Sequence, residues 1–254
     1  MEKAEKTSER LDKVLSNNGF GTRKDTRKLI RSGAVTVNGE TERVPDVHVN
    51  IAVDKICVEG DEVQILRHVY LMMNKEAGCV CSTRSDRRKT IYDYLEPKYL
   101  GKFLGGTISS IGRLDADTEG LLLLTTDGAL NHNLTSPKNK VPKVYLVTLA
   151  QSVDAEEQER YTKKLNTGIH IEAEGKEAAA DCLPAEVNWL SETECELTIC
   201  EGKFHEVKRM FAALGNAVAH LKRLSMNGLT LDPSLPGGGY RELTQEELEM
   251  ISKY

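Results

Sequence analysis

The chain has 254 residues, 39% hydrophobic and 29% charged, with a formal net charge of -5 and a pI near 5.8, enough length for one large domain or for a small and a medium one with separate cores. That balance excludes a protein coated in positive charge, so nucleic-acid binding has to rest on local basic patches. Six cysteines (57, 79, 81, 182, 195, 200) without CxxC spacing, an N-terminus MEKAEKTSER lacking an apolar run, and no stretch near the ~20 apolar residues of a membrane span predict a cytoplasmic protein with reduced thiols.

Residues 8–66 read as a separate small domain. Residues 9–17 carry Leu11, Val14 and Leu15 on one helical face, and Gly19-Phe20-Gly21 breaks the pattern. A second helix starts at Thr22 or Arg23, with Lys24, Arg27, Lys28 and Arg31 at i, i+3, i+4 and i+7 on one stripe. Gly33 stops it, and residues 34–39 are a strand running into an Asn-Gly hairpin turn. A charged stripe is usually a solvated face. Here, over residues 10–31, Arg10, Lys13, Arg23, Lys24, Arg27, Lys28 and Arg31 face only Asp12 and Asp25 in a chain that is acidic overall. The order helix, basic helix, V-x-V-N-G strand also resembles the alpha-L RNA-binding motif of a ribosomal small-subunit protein and of tyrosyl-tRNA synthetase. With Phe20 the lone aromatic, phosphate and shape contacts to folded RNA are expected rather than base reading, with Arg10, Arg23, Lys24, Arg27, Lys28 and Arg31 as the contacts.

Leu66-Arg67-His68 is a candidate linker, followed by a strand over residues 69–75, a turn at Glu76-Ala77-Gly78 and a strand-like run over residues 79–83. In that run Cys79 and Cys81 alternate with Val80, which predicts buried thiols rather than a metal pair. Arg84, Arg87, Arg88 and Lys89 make a basic loop ahead of a short helix at residues 91–95. This loop is read equally as solvated or as contacting a nucleic-acid backbone.

Residues 106–128 organise the remainder. Ile108 and Ile111 precede the charged loop Gly112-Arg113-Leu114-Asp115-Ala116-Asp117-Thr118-Glu119-Gly120, and Leu121 to Leu124 follow it. Four consecutive leucines bounded by turn residues predict a strand buried on both faces, which mounts the loop on a rigid sheet. The loop reads in three ways: a polar turn, a calcium loop, or a nucleophilic or acid-base carboxylate, Asp115, beside an arginine. The calcium reading fails because the twelfth position of an EF-hand pattern falls on Thr126 and a leucine strand stands where the exiting helix should be. The run GRLDADTEGLLLL resembles the signature of the pseudouridine synthases, in the branch acting on ribosomal RNA, and this resemblance makes Asp115 the catalytic residue. The family's N-K-P-x-G segment is matched at Asn74-Lys75 with Glu76 in place of proline, which loosens a turn.

Beyond the loop, residues 128–134 form a short helix, residues 136–143 a basic connector and residues 144–149 a strand. Lys143-Val144-Tyr145 is similar to the family's K-x-Y motif, which promotes Tyr145 from core packing to a base-stacking residue and a candidate to handle the proton lost from carbon five. Residues 154–168 are helical; residues 169–171, 182–187 and 194–200 are strands; His48, His68 and His170 show no partner spacing and receive no role. A helix over residues 206–214 buries Val207, Met210, Phe211 and Leu214 while Lys208 and Arg209 project differently. A lone lysine is ordinarily a surface cation. The resemblance to the family's third motif, G-x-x-x-x-[VI]-[KR]-R-[ML], instead pairs Lys208 with the catalytic aspartate and places Ile199 in the strand that closes the pocket. Residues 228–231 and 240–243 complete the sheet, and a Thr244 capping box opens the last helix.

The chain lacks G-x-S-x-G, a Walker loop, H-E-x-x-H and the deaminase zinc pattern, and Gly237-Gly238-Gly239 without a following Lys-Ser/Thr is a tight turn. The reading is an α+β protein: an alpha-L domain at 8–66, then at 69–254 a mixed, mainly antiparallel sheet with flanking helices. The resemblance implies isomerisation of uridine in ribosomal RNA, closest to the small-subunit enzymes, on a flipped-out nucleotide and without cofactor or metal. Arg113 fills the vacated space or holds a phosphate. The expected partner is ribosomal RNA, free or in a subunit assembly intermediate, acted on by a monomer. The alternatives are a large-subunit synthase and a non-catalytic ribosome-assembly factor; the latter has no reason to retain Asp115, Tyr145 and Lys208 together.

Overall fold

The computed structural model describes residues 8–63, 65, 68–103 and 106–253. Leu66 and Arg67 of the expected linker lie outside these residues. The chain forms two compact units, one from the N-terminus to Val69 with Glu96–Ile108, the other Tyr70–Leu95 with Ser109 onward.

In the first unit Ser8–Arg10 pairs antiparallel with His48–Asn50, so helix α1 (Leu11–Asn17) begins two residues later than the apolar spacing suggests. Helix α2 (Arg23–Ser32) is closed by a Thr22/Asp25 capping box at its start and by Gly33 in the left-handed conformation at its end. Leu11, Val14, Leu15 and Ile30 from the two helices pack on Val35, Val49, Ile56 and Val58 from the strands. Asn38 and Gly39, at φ 54° and 87°, make the hairpin turn between Val35–Val37 and Glu40–Glu42.

The second unit is built on one sheet: β1 (Tyr70–Lys75), β2 (Glu119–Thr125), β3 (Lys143–Leu149), β4 (Glu186–Trp189), β5 (Glu194–Ile199), β6 (Val218–Met226) and β7 (Tyr240–Glu242). They lie in the order β4-β5-β3-β6-β2-β1-β7. Every adjacent pair is antiparallel except β2 and β6, which run parallel through Glu119 opposite Lys222 and Gly120 opposite Arg223. The four leucines of β2 are buried on both faces, as expected. Leu121 and Leu123 join Met72, Leu130, Leu134, Met226 and Ile251 in one cluster beneath α3 (Gly128–Thr135) and α6 (Gln245–Ile251). Leu122 and Leu124 alternate to the opposite side and are equally inaccessible. Tyr161 of α4 (Ala155–Thr167) packs against Trp189 and against Phe211 of α5 (Glu206–Ala213), with ring centroids 6.2 and 6.4 Å apart.

Two expectations about strands need correction, and one strand was not expected. Residues 79–83 form no strand; only Val80 bridges Thr90, because Cys81 turns its thiol toward Leu114. The strand expected at 182–187 starts at Glu186 instead, since Pro184 lacks the donor a ladder needs and Leu183 N–H is taken by the Glu201 carboxylate. Finally, β6, the longest strand among the described residues, has no counterpart in the sequence reading. Its alternation is disguised by Arg223, a charged residue only 2% exposed.

Candidate active site

The charged loop 112–120 is held from three sides before any substrate group is considered. Lys75, wholly buried at the end of β1, donates to the carbonyls of Glu76, Ala116 and Thr118 at 3.1, 3.3 and 2.8 Å. All three ammonium hydrogens are therefore committed to backbone. Gly78 N–H donates to Ala116 O at 2.7 Å, and the Cys81 thiol lies 3.4 Å from both the N–H and the carbonyl of Leu114. Glu76, standing where the family has proline, accepts a short hydrogen bond from the Tyr94 hydroxyl, which pushes that phenol up to about 12. A fixed side chain thus stands where the sequence suggested a loosened turn.

Gly120 closes the loop onto the sheet. At φ 99°, a Cβ there would stand 2.2 Å from the Arg223 carbonyl of β6. Arg223 in turn donates from Nε to Leu121 O at 2.7 Å, while its Nη2 is buried without a partner.

Asp115 lies on this loop with its side chain 28% exposed, half-buried rather than in a dry cleft. Lys208 of α5, 93 residues away in sequence, brings Nζ to 3.0 Å from Asp115 Oδ2. It also reaches Asp117 Oδ1 at 2.6 Å, a second partner that the sequence reading did not anticipate. Burial alone would lower the Lys208 ammonium; the bonds to Asp117 and Asp115 outweigh it and raise its pKa. Burial likewise works against the Asp117 carboxylate, and Lys208 holds it below its ordinary value.

Tyr145 and Ile199, both nearly inaccessible, line the same narrow cleft of about 70 Å3 as Arg113, Leu114 and Asp115. Tyr145 stands on β3 opposite Leu197 of β5 and Arg223 of β6. Arg113 is exposed at the edge. The five residues singled out for this site, on four separate elements, therefore meet at one place.

His205 was missed. It precedes α5 at φ 48°, stacks on Phe204 with centroids 3.7 Å apart, places Nδ1 2.9 Å from Glu174 Oε1 and Nε2 3.7 Å from Asp115 Oδ1. No spacing connects residues 115, 174 and 205, so the sequence carries no signal for it. Arg209, to which the sequence assigns no role, is structural: buried, it donates to the carbonyls of Glu172, Ala178 and Phe204, fastening the 172–178 hairpin to α5.

Further charges are buried in this unit, Glu206 among them in the lining of the same cleft. Burial, assisted by the nearby Arg223 charge, brings the Lys143 ammonium down to about 8. Burial pushes the Glu206 carboxyl up to about 7, and its Oε1 has no partner. Cys182, Glu201 and Glu206 approach within 4.8 Å of one another. Lys203 pairs with Glu201, and burial raises the Cys182 thiol to about 12.

In the first unit Arg10, Arg23, Lys24, Arg27, Lys28 and Arg31 line one concave surface of about 410 Å3. Two of these cations are tied inward: Arg10 Nη2 and Arg27 Nε sit 2.9 and 3.0 Å from the fully buried Asp12 carboxylate. Burial would raise that carboxyl, but the two arginines outweigh it and hold it below its ordinary value.

No helix among the described residues is long and apolar enough to cross a membrane. Residues 69–213 match the RNA pseudouridylate synthase family and residues 9–52 the S4 domain. An RNA pseudouridine synthase of Bacillus subtilis is 42% identical over 96% of this chain and 98% of its own length. The ribosomal small subunit pseudouridine synthase A of Haemophilus influenzae is 42% identical over 96% of this chain and all of its own, and that of Escherichia coli 36% identical over 95% and 99%. A crystal structure of a pseudouridylate synthase aligns with a TM-score of 0.65 and 41% identity over 95% of this chain and 99% of that one. With its N-terminal S4 domain followed by a matched catalytic sheet, the chain belongs to the RNA pseudouridylate synthase family.

Proposed function

We propose that this enzyme isomerises a uridine of small-subunit ribosomal RNA, with Asp115 as the catalytic carboxylate acting on an extruded nucleotide. The observation that carries this reading is the 3.0 Å pair between Asp115 and Lys208 in a cleft that also holds Tyr145 and Ile199. A carboxylate with an ordinary pKa of ~3.9 is ionised at neutral pH and needs no base to activate it. Lys208 offsets the cost of holding it half-buried. Nothing is oxidised or hydrolysed when the base leaves the ribose and rejoins it through carbon five, so the chemistry calls for no cofactor.

A stacked uridine is out of reach, so the nucleotide turns out at a cost of a few kcal/mol. Arg113, exposed at the mouth of the cleft, fills the space it leaves or holds a phosphate. Tyr145 stacks on the extruded base and Ile199 closes the pocket. The basic concavity of the first unit grips RNA phosphates, with Arg23, Lys24, Lys28 and Arg31 the cations not tied to Asp12. In domain terms, residues 8–66 hold the RNA and residues 69–254 carry the chemistry. The small-subunit substrate is supported by the names and the near-complete overlap of the Haemophilus and Escherichia relatives. The enzyme works as a cytoplasmic monomer on ribosomal RNA, free or within an assembling subunit.

The test is pseudouridine mapping of total RNA from cells with and without the gene. The expected result is loss of one small-subunit site. Loss of a large-subunit site instead would transfer the substrate, and loss of none would remove ribosomal RNA as the target.

A further inference from the structure

Isomerising uridine in place breaks the C1′–N1 bond, forms a C1′–C5 bond, removes a proton from carbon five and leaves one on N1. The net change is one proton moved within the base, so a proton acceptor is needed beside the carboxylate. Asp115 has one oxygen engaged, since Lys208 Nζ sits 3.0 Å from Oδ2. Lys208 itself, with its pKa raised by two aspartates, is a poor acceptor.

The open oxygen, Oδ1, faces His205 Nε2 at 3.7 Å. That is longer than a hydrogen bond, so neither group consumes the other. The remaining ring nitrogen, Nδ1, lies 2.9 Å from Glu174 Oε1. A hydrogen on Nδ1 donated to the Glu174 carboxylate leaves Nε2, the nitrogen nearer Asp115, as the one that can take a proton from within the cleft. A carboxylate fixing the tautomer of a catalytic histidine is the logic of the hydrolase triads.

The ring is fixed in three further ways. Phe204 stacks on it at 3.7 Å with planes 21° apart. The backbone at φ 48° is one that side-chain-bearing residues seldom adopt and that functional sites retain. Glu174 rides on a hairpin closed by its own backbone bonds to Glu177 and fastened by Arg209 through the Glu172 and Ala178 carbonyls.

We infer that His205, oriented by Glu174, is the acid–base residue of the isomerisation. Nε2 takes the proton from carbon five once the C1′–C5 bond has formed, and the imidazolium releases it as N1 is protonated. The inference rests on the isomerisation reading above and adds a second reacting group to it.

The experiment is turnover of RNA carrying either ordinary uridine or uridine deuterated at carbon five. His205→Asn keeps a residue that tolerates the left-handed conformation but offers no proton acceptor. It is expected to lower kcat by ~10²- to 10⁴-fold, leave KM within about twofold, since base contacts are untouched, and raise the deuterium isotope effect above that of the wild type. Glu174→Gln, on an exposed side chain, gives a smaller loss with the same rise in isotope effect. If His205→Asn is insoluble, Glu174→Gln is judged alone by the same criterion. Wild-type turnover in these variants, or slower turnover with an unchanged isotope effect, overturns the inference. A wild-type protein that forms no pseudouridine overturns the isomerisation reading instead.

Discussion

In the proposed reaction Asp115 acts through the groups that surround it, and most of these stand far from it in sequence. The G-R-L-D run made the aspartate legible, and the third motif made Lys208 legible. Lys75 is marked by the N-K-P-x-G match but not for its bonds to loop carbonyls, and Asp117, His205 and Glu174 are not legible, because nothing in their spacing distinguishes a histidine bound to a distant glutamate from a surface residue. Lys208→Met is expected to cut kcat by roughly 10²-fold, the scale of losing one fixed electrostatic partner, as read by steady-state kinetics. Stability should change little, since a partly exposed ion pair contributes at most about 1 kcal/mol. Glu206 gives a pH signature. Its folded-state pKa, about 7, lies above the ordinary 4.5, so its stabilising contribution is complete below about 4.5 and disappears as pH rises through about 7. Glu206→Gln is therefore expected to gain Tm relative to the wild type between pH 5.5 and 8 by roughly 2 to 4 °C. Parallel melting curves for the two proteins across that range would contradict it.

At the scale of elements, the helices and most strands could be read from periodicity and caps because local chemistry agreed with the fold: Thr22 with Asp25, the leucines of β2, Thr244 with Glu247. The failures occur where tertiary contacts override the pattern. In β6, a buried Arg223 bonded to Leu121 O breaks the apolar alternation, and residues 79–83 serve loop 112–120 instead of joining a ladder. The contact between Gly120 and β6 is correspondingly intolerant. Gly120→Ala would drive a methyl into the Arg223 carbonyl at 2.2 Å and is expected to cost more than about 2 kcal/mol, measured by denaturant unfolding. An unchanged midpoint would mean that the β2–β6 approach is looser than described. Helix α2 has a different test. Replacing Lys24, Arg27, Lys28 and Arg31 together should weaken RNA binding and flatten the dependence of log K on log salt by roughly 2 to 3, less than four full contacts because Arg27 is partly engaged by Asp12. An unchanged slope would return the stripe to a solvated face.

Across the whole molecule, charge and chemistry are segregated. Residues 10–31 carry a net +5 while the chain totals -5, so on the proposed reading electrostatic attraction for RNA is concentrated in the S4 domain and the synthase sheet supplies the reacting site. Composition alone excluded a basic protein without revealing this division; the pattern along the chain revealed it. The division predicts that holding RNA and converting it are separable, which a single substitution can test. The decisive measurement is single-turnover pseudouridine formation by the purified enzyme and by Asp115→Asn on small-subunit ribosomal RNA, with RNA affinity measured alongside. The account predicts that the asparagine protein binds within about twofold of wild type and converts uridine at least ~10³-fold more slowly. Conversion by Asp115→Asn at the wild-type rate would contradict it.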